Sequence, residues 1–364
     1  MLPIARNIIH MLMQKDLLTQ AEVVDGSSIF AIARQRNRFC YYKRLTGPSY
    51  FIKTGHEAEP GARQAMALEA AFYRHFQCDE AFADLRPYLT HLFDFDPETG
   101  TLISELVDGA EDLTVIAARA PDEVRGHMPE LARCLAVLHT ARADGIDAEK
   151  MGFDARPHWI FRLSEDPGPL PQLRARSAAG AATIDRILAQ DDWRALLDAL
   201  AQDWRPICLI HGDVKPQNFL AHRSPEQGMQ HKIIDWERAN IGDPAWDVAC
   251  GAVTPLMLRL FDADRHGGAL GIDDTLTAAV RADMCAFLSA YRASAGADAL
   301  DAVTPERCAQ MVIARILAAA YELNFATDRH NPVADALLAL AGHLSSTDAA
   351  ERLFSLAIDT SEAA

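Results

Sequence analysis

The chain has 364 residues, 49% of them hydrophobic, so it can bury one large core or two medium ones. No apolar run approaches the roughly 18 residues that cross a bilayer, which argues against a membrane-spanning protein. The formal net charge of −16 argues against nucleic acid as a partner.

The cysteines and the N-terminal segment indicate where the protein resides. Seven cysteines are scattered along the chain, and no two have the spacing of a zinc-ligand pair or a redox pair. They are typical of reduced thiols. The amphipathic N-terminal stretch contains Arg6 and Lys15 and lacks a cleavage site of small residues, so we do not interpret it as a signal peptide. We therefore expect a cytoplasmic protein.

The charge is unevenly distributed. Residues 1–56 hold eight Lys or Arg and three Asp or Glu, a balance of +5, whereas the remainder holds 27 and 48, a balance of −21. A basic N-terminal part suits a phosphate-bearing ligand, and an acidic body suits a cationic partner. An acidic surface that only keeps the protein in solution explains the second part equally well.

The first third of the chain predicts a small, mainly β unit. Residues 1–20 have helical spacing, and short strands rich in aromatic and branched residues follow between residues 23 and 54. GARQAMALEAAFYRHF, residues 61–76, predicts a helix. HLFDFDPETGTLISELVDG, residues 91–109, predicts two strands joined by an Asp-Pro-Glu-Thr-Gly turn.

The remainder predicts a larger helical unit. Its helical pattern is interrupted by a linker-like stretch at residues 164–171, by the strand ICLI, and by a hairpin of NFLAH and HKIIDWE. From Pro244 onward the chain is rich in Ala and Leu and helical in pattern. We therefore predict the α+β class, with a small β-rich lobe at residues 1–106 and a larger helical lobe at residues 107–364.

The stretch LIHGDVKPQNFL, residues 209–220, places polar groups between two strand-like runs. Asp213 ends an apolar strand and Asn218 offers a neutral oxygen, while the next strand of the hairpin brings the carboxylate of Asp235 back beside the loop. One carboxylate to orient a hydroxyl, with Asn and Asp as hard oxygen ligands, is typical of a magnesium and phosphate site. A polar turn whose side chains only cap backbone amides is the alternative.

Two segments, HGDVKPQN and IIDWERANIGDPAWDVA, resemble the catalytic and metal-binding segments of the aminoglycoside phosphotransferase and choline kinase family. The resemblance extends from about residue 51 to about residue 252. It implies a bilobal, protein-kinase-like fold with an N-terminal nucleotide-binding lobe and a C-terminal lobe for catalysis and substrate binding. It also implies a kinase that uses ATP and Mg²⁺ to phosphorylate an alcohol group.

The resemblance assigns roles to residues of the catalytic loop. Asp213 matches the catalytic aspartate that accepts or orients the substrate hydroxyl proton. Lys215 matches a lysine that touches the transferring phosphoryl group in Ser/Thr-type kinases. His211 and Asp247 match positions that hold the loop in shape.

Other roles concern the nucleotide and the metal. Asn218 and Asp235 match the magnesium ligands. Lys53, in YFIKTG, matches the lysine that grips the α- and β-phosphates, and Glu69 matches the helix glutamate that pairs with it. The alternative for Lys53 is a surface lysine whose aliphatic carbons pack on apolar neighbours while its ammonium faces solvent.

The hinge and the phosphate loop are less distinctive. Glu105 and Val107, in SELVDG, match hinge positions whose backbone groups would meet the adenine. The chain has no GxGxxG between its first strands, and the segment ARQRNRFC stands there instead. Its arginines, Arg36 and Arg38 among them, could contact the phosphates in place of backbone amides. An exposed basic hairpin tip is the alternative.

The sequence leaves open which molecule accepts the phosphoryl group. The family mostly phosphorylates small hydroxylated molecules such as aminoglycosides, choline, amino alcohols and sugars, and the acidic body suits a cationic one. A kinase for Ser or Thr of a peptide, as in lanthipeptide-like natural-product maturation, is an alternative that Lys215 favours. A pseudokinase that binds nucleotide without transfer is another. We expect no nucleic acid and no membrane among the partners.

Overall fold

The computed structural model describes residues 3–24, 27–33, 37–55, 61–224, 226–271 and 274–346. The strands in this part are β1 (Ser27–Ala33), β2 (Asn37–Arg44), β3 (Tyr50–Gly55), β4 (Leu92–Asp96), β5 (Thr101–Glu105), β6 (Glu111–Asp112), β7 (Cys208–Ile210), β8 (Phe219–Ser224), β9 (Gly228–Ile233) and β10 (Asn240–Gly242). The helices are α1 (Pro3–Gln14), α2 (Gln20–Val24), α3 (Ala62–Cys78), α4 (Leu113–Arg119), α5 (Val124–Leu138), α6 (Ala148–Met151), α7 (Leu170–Arg174), α8 (Ala178–Leu188), α9 (Asp191–Gln202), α10 (Pro244–Arg265), α11 (Asp274–Ser294), α12 (Ala297–Ala302), α13 (Pro305–Asn324) and α14 (Pro332–Ser346).

The chain divides into two compact units. The first comprises Met1–Ala110 and Leu220–Arg238, and the second comprises Glu111–Phe219 and Ala239–Ala364. The first unit thus takes in the hairpin of β8 and β9 as well as the N-terminal part of the chain. The predicted lobe boundary at residue 106 stays a prediction.

A five-stranded antiparallel sheet in the order β1-β2-β3-β5-β4 forms the centre of the first unit. One face of this sheet is covered by the N-terminal segment, because Leu12 and Leu18 are buried against Tyr42 and Ile52. Burying a leucine side chain contributes about 1.5–3 kcal/mol, so the N-terminal helix is part of the hydrophobic core of this unit. Side chains alternate along a strand, so Lys53 lies on the opposite face from Ile52.

Most predicted elements of the first unit match the structure. The predicted helix over residues 61–76 is α3, and β4 and β5 form the predicted hairpin over residues 91–109. The strand predicted across HKIIDWE is shorter than expected. It ends at Ile233, and Asp235 follows with a φ of 70°, a left-handed conformation that cannot continue a strand.

The second unit is predominantly helical. β7 and β10 pair antiparallel at its centre, and α10 packs against α11 and α13. The Asp243 side chain caps α10 by accepting from the amide of Ala245, and Thr304 caps α13 in the same way. Arg307 on α13 donates to the Asp243 carboxylate, so the starts of these two helices are tied together.

The predicted α+β class with the protein-kinase-like fold is confirmed. Within the described residues, no helix combines the length and the hydrophobicity needed to cross a bilayer.

Candidate functional site

Lys53 is the centre of a charged cluster in the first unit. Its Nζ lies 2.9 Å from Oε2 of Glu69 and 3.0 Å from Oε2 of Glu237, and it also donates to the carboxylate of Asp235. The side chains of Lys53 and Glu69 are only 2% and 4% exposed. The structure therefore brings together Lys53, Glu69 and Asp235, three residues that the sequence singled out. We call these three residues and Glu237 the Lys53 cluster.

Three carboxylates around one ammonium determine the protonation of the Lys53 cluster. Burial by itself would lower the pKa of Lys53, but Asp235, Glu69 and Glu237 together raise it well above its ordinary value. Burial raises the pKa of Glu69 to about 7, although the charge of Lys53 opposes this shift. Lys53 is therefore protonated at neutral pH, and the carboxylates outnumber it.

The local structure around α3 explains why Asp235 and Glu237 reach Lys53. Glu69 and Phe72 are one turn apart on α3, so both side chains face the same side of the helix. The ring of Trp236 stacks on Phe72 with 4.0 Å between ring centroids, and its indole nitrogen donates to the Ile233 carbonyl at 3.1 Å. Trp236 thus fixes the turn that carries a carboxylate on either side of it.

The oxygen atoms of the Lys53 cluster fit a hard divalent cation. One carboxylate oxygen from each of Glu69, Asp235 and Glu237 lies within 4.8 Å of the other two. Mg²⁺ and Ca²⁺ prefer such oxygen ligands, and Mg²⁺ typically takes only one or two carboxylates beside substrate phosphates. Glu237 is not among the predicted site residues; its signal in the sequence is its position two residues after Asp235.

The catalytic loop predicted around Asp213 lies in the second unit and is fixed by buried groups. Oδ2 of Asp247 accepts from the amide of His211 at 2.6 Å, and Oδ1 accepts from the amide of Gly212 at 3.0 Å. Gly212 has a φ of 74°, which a residue with a side chain rarely adopts. The amide of Asp213 donates to Nδ1 of His211 at 3.2 Å, and the indole of Trp246 donates to the Gly212 carbonyl at 3.3 Å.

The functional groups of this loop lie close together. Nζ of Lys215 is 2.5 Å from Oδ2 of Asp213. The side-chain nitrogen Nδ2 of Asn218 donates to the backbone carbonyl of Asp213 at 2.9 Å. The side-chain oxygen of Asn218 is then the atom that could meet a cation. The loop therefore presents a carboxylate beside an ammonium, with an amide oxygen on the same turn.

The predicted hinge is ordered by its own backbone. The amide of Glu105 donates to the His91 carbonyl at 2.7 Å, and the Val107 carbonyl accepts from the amide of Ala110 at 3.3 Å. These two groups are thus engaged within the first unit. Whether Glu105 and Val107 meet a nucleotide stays a prediction.

The two predicted arginine contacts have no described side chains. Arg36 lies outside the described residues. The backbone of Arg38 pairs with Thr54 in the sheet, and its side chain lies outside the described part of the chain. Their roles stay predictions.

Comparisons with known proteins identify the family of the chain. The sequence profile of the "Phosphotransferase enzyme family" matches residues 33–281, well beyond the segment that the motifs indicated. No curated protein sequence matches the chain.

Solved structures share the fold of the whole chain. A choline/ethanolamine kinase family protein from Mesorhizobium loti matches with a TM-score of 0.55 and 16% identity over 96% of this chain and 98% of that chain. A choline kinase from Streptococcus pneumoniae matches with a TM-score of 0.52 and 16% identity over 92% of this chain and 99% of that chain. An amicoumacin kinase in complex with AMP-PNP, Ca²⁺ and Ami matches with a TM-score of 0.55 and 13% identity over 93% of each chain.

The family profile covers more than half of the chain, and the predicted enzyme class, a phosphotransferase, is confirmed. The chain belongs to the phosphotransferase enzyme family.

Proposed function

We propose that the protein uses ATP and Mg²⁺ to phosphorylate a hydroxyl group of a small, cationic molecule related to aminoglycosides, amino alcohols or sugars. The observation that carries the proposal is the buried, protonated Lys53 held by Glu69, because such an ammonium suits nucleotide phosphates. The similar structures named above are kinases for choline, for choline or ethanolamine, and for amicoumacin, which supports a small acceptor.

The residues of the first unit would bind the nucleotide. Lys53 would hold phosphate oxygens, and Glu69 would keep its ammonium in position. Asp235 is the predicted metal ligand, and Glu237 offers a further carboxylate at the same place. Bound Mg²⁺ would neutralise part of the negative charge on the phosphates. The complex of the similar amicoumacin kinase with AMP-PNP and Ca²⁺ supports the pairing of a nucleotide with a divalent cation.

The residues of the second unit would act on the acceptor. Asp213 would accept or orient the proton of the attacking hydroxyl. Lys215, at 2.5 Å from Asp213, would offset the negative charge that develops on the transferred phosphoryl group. Asn218 would present its amide oxygen as the second predicted metal ligand. We also propose that the enzyme acts in the cytoplasm, since none of its seven cysteines forms a disulfide.

The proposal is tested by following phosphate incorporation with mass spectrometry. The protein receives Mg-ATP with one pool of cationic alcohols or one pool of Ser/Thr peptides, and Asp213→Ala serves as the catalytic control. We expect product in the small-molecule pool, and a loss of about 10²–10⁴-fold in turnover for Asp213→Ala with nucleotide binding retained. Product only in the peptide pool would establish the peptide kinase instead. Nucleotide binding without product in either pool would favour the pseudokinase.

A further inference from the structure

A chain of three buried polar side chains ends at the predicted catalytic loop of the second unit. The hydroxyl oxygen of Tyr291 lies 2.7 Å from Nδ1 of His139, and Nε2 of His139 lies 3.5 Å from Oδ2 of Asp247. Asp247 in turn accepts from the backbone amides of His211 and Gly212. Contacts between named atoms therefore connect Tyr291 to the backbone of the loop.

Three helices of the second unit bring these side chains together. His139 is the C-cap of α5, Tyr291 lies in the last turn of α11, and Asp247 lies in the first turn of α10. α5 packs along α11, and α10 packs on both of them. The side chains of His139 and Asp247 have no exposed surface, and Tyr291 is fully buried as well. Their polar atoms thus depend on one another, because a buried polar group without a hydrogen bond is costly.

The chemistry of the three groups indicates which nitrogen of His139 carries the hydrogen. An ionised carboxylate only accepts, so Nε2, the nitrogen that faces Asp247, needs a hydrogen to be attracted to it. Nδ1 then has a lone pair that accepts from the hydroxyl of Tyr291. Burial raises the pKa of Tyr291 well above its ordinary value, so the hydroxyl keeps the hydrogen that it donates.

The hydrogen on Nε2 matters for the position of the Asp247 carboxylate. Oδ2 of Asp247 accepts from the amide of His211 at 2.6 Å and faces Nε2 of His139 at 3.5 Å, the outer limit of a hydrogen bond. At this distance the contact is mainly electrostatic, and burial strengthens it. The other tautomer would direct a lone pair at the same oxygen, and the attraction would become repulsion.

We propose that Tyr291 is a positioning residue for phosphotransfer, because its hydroxyl holds His139 in the tautomer that keeps Asp247 in place. The inference rests on the proposed function, since the loop that Asp247 holds carries Asp213. In this role Tyr291 touches neither the nucleotide nor the acceptor. Its effect should therefore appear in turnover and should disappear when His139 is replaced.

The first test removes only the hydroxyl of Tyr291. Tyr291→Phe is compared with wild type and with Tyr321→Phe, since Tyr321 is another buried tyrosine of the second unit and donates to the Leu173 carbonyl at 2.9 Å. Turnover is measured as ADP formation from Mg-ATP with a pool of choline, ethanolamine and kanamycin. We expect Tyr291→Phe to lower kcat about 3- to 30-fold, because a buried acceptor loses its donor, and to leave the KM for ATP within about twofold. Tyr321→Phe should keep the kcat of wild type, even where its melting temperature falls as far.

The second test asks whether Tyr291 acts through His139. His139→Gln keeps a side-chain donor but has no ring and therefore no tautomers. In this background Tyr291→Phe should not lower kcat further, because residues that act through one contact are not additive. Losses that multiply in the double variant would overturn the inference.

The third test follows the hydrogen and the loop by NMR without any acceptor, so it also decides the question if His139→Gln does not fold. The ¹⁵N signals of His139 in wild type should show the hydrogen on Nε2, and in Tyr291→Phe the hydrogen should be shared between the two nitrogens. The amides of His211 and Gly212 should exchange with solvent about 3- to 30-fold faster in Tyr291→Phe, and as in wild type in Tyr321→Phe. An unchanged tautomer, or unchanged exchange of these amides in Tyr291→Phe, would overturn the inference.

Failure of this inference is distinguishable from failure of the proposed function. Equal kcat for wild type and Tyr291→Phe, with Asp213→Ala inactive, would overturn the inference and leave the reaction intact. If wild type phosphorylated no acceptor, or Asp213→Ala matched it, the proposed function would fail. The NMR measurements would then still show whether Tyr291 sets the tautomer of His139 and the order of the loop.

Discussion

Oε2 of Glu237 lies 3.0 Å from Nζ of Lys53, on the same ammonium that Glu69 approaches to 2.9 Å. Asp235 accepts from it as well. An ammonium has three hydrogens to donate, so these three carboxylates use all of them. A phosphate that reaches Lys53 must therefore displace a carboxylate, and the displaced oxygen is then available to a metal ion that accompanies the nucleotide.

Glu237→Gln tests this competition. Removing one negative charge from the Lys53 cluster should strengthen the binding of metal-free ATP severalfold, because less repulsion opposes the phosphates. The further gain in affinity on adding Mg²⁺ should shrink. Nucleotide titrations with and without Mg²⁺ measure both effects, and Glu98→Gln, at an exposed glutamate of the same unit, is the control. An unchanged affinity for metal-free ATP would contradict the competition.

Lys53→Met should destabilise the protein. The substitution leaves three carboxylates close together without a cation, and removing one partner of a buried ion pair costs about 3–5 kcal/mol. The free energy of unfolding, measured with urea, should fall by an amount of this order. The double variant Lys53→Met/Glu69→Gln removes the most deeply buried charge and should recover part of the loss. A single variant as stable as wild type would mean that the cluster is not charged as described.

The stability of the Lys53 cluster should depend on pH through Glu69. Its pKa is about 7 in the folded protein against an ordinary value of 4.5, so between these values the folded state holds a proton that the unfolded state releases. Stability due to Glu69 is thus highest below pH 4.5 and is lost as the pH rises to about 7. The limiting slope is about 1.4 kcal/mol per pH unit.

This pH effect is measured by comparing the unfolding free energies of wild type and of the Glu69→Gln variant. The unfolding free energy of wild type minus that of Glu69→Gln should decrease between pH 5 and pH 7. The unfolding free energy of wild type minus that of Glu98→Gln should not change with pH in this range, because the Glu98 side chain is exposed. A difference that is flat or rises with pH for Glu69→Gln would show that Glu69 is ionised throughout.

The family resemblance was sufficient to assign some of these residues and insufficient for others. Local patterns predict the strand and the helix that carry Lys53 and Glu69, the resemblance assigns the two residues as a pair, and the structure pairs them. Glu237 could not be assigned, because its contact with Lys53 depends on the left-handed backbone of Asp235, which a pattern of alternating residues does not predict.

The buried carboxylate of Asp247 gives a last prediction, which separates catalysis from nucleotide binding. Asp247→Asn keeps the shape of the side chain but replaces one acceptor oxygen with a donor facing the amides of His211 and Gly212. A buried amide without its acceptor costs about 1–3 kcal/mol, so the loop should lose its fixed position.

Turnover of Asp247→Asn should fall about 10- to 100-fold if this cost appears in the transition state. The dissociation constant for the nucleotide should stay within about twofold, because the Lys53 cluster lies in the other unit. Turnover is measured with an acceptor that wild type phosphorylates, and nucleotide binding by calorimetry. Asp264→Asn, at an exposed position on α10, serves as the control and should match wild type. If nucleotide affinity fell as much as turnover, Asp247 would support the whole fold rather than the catalytic loop.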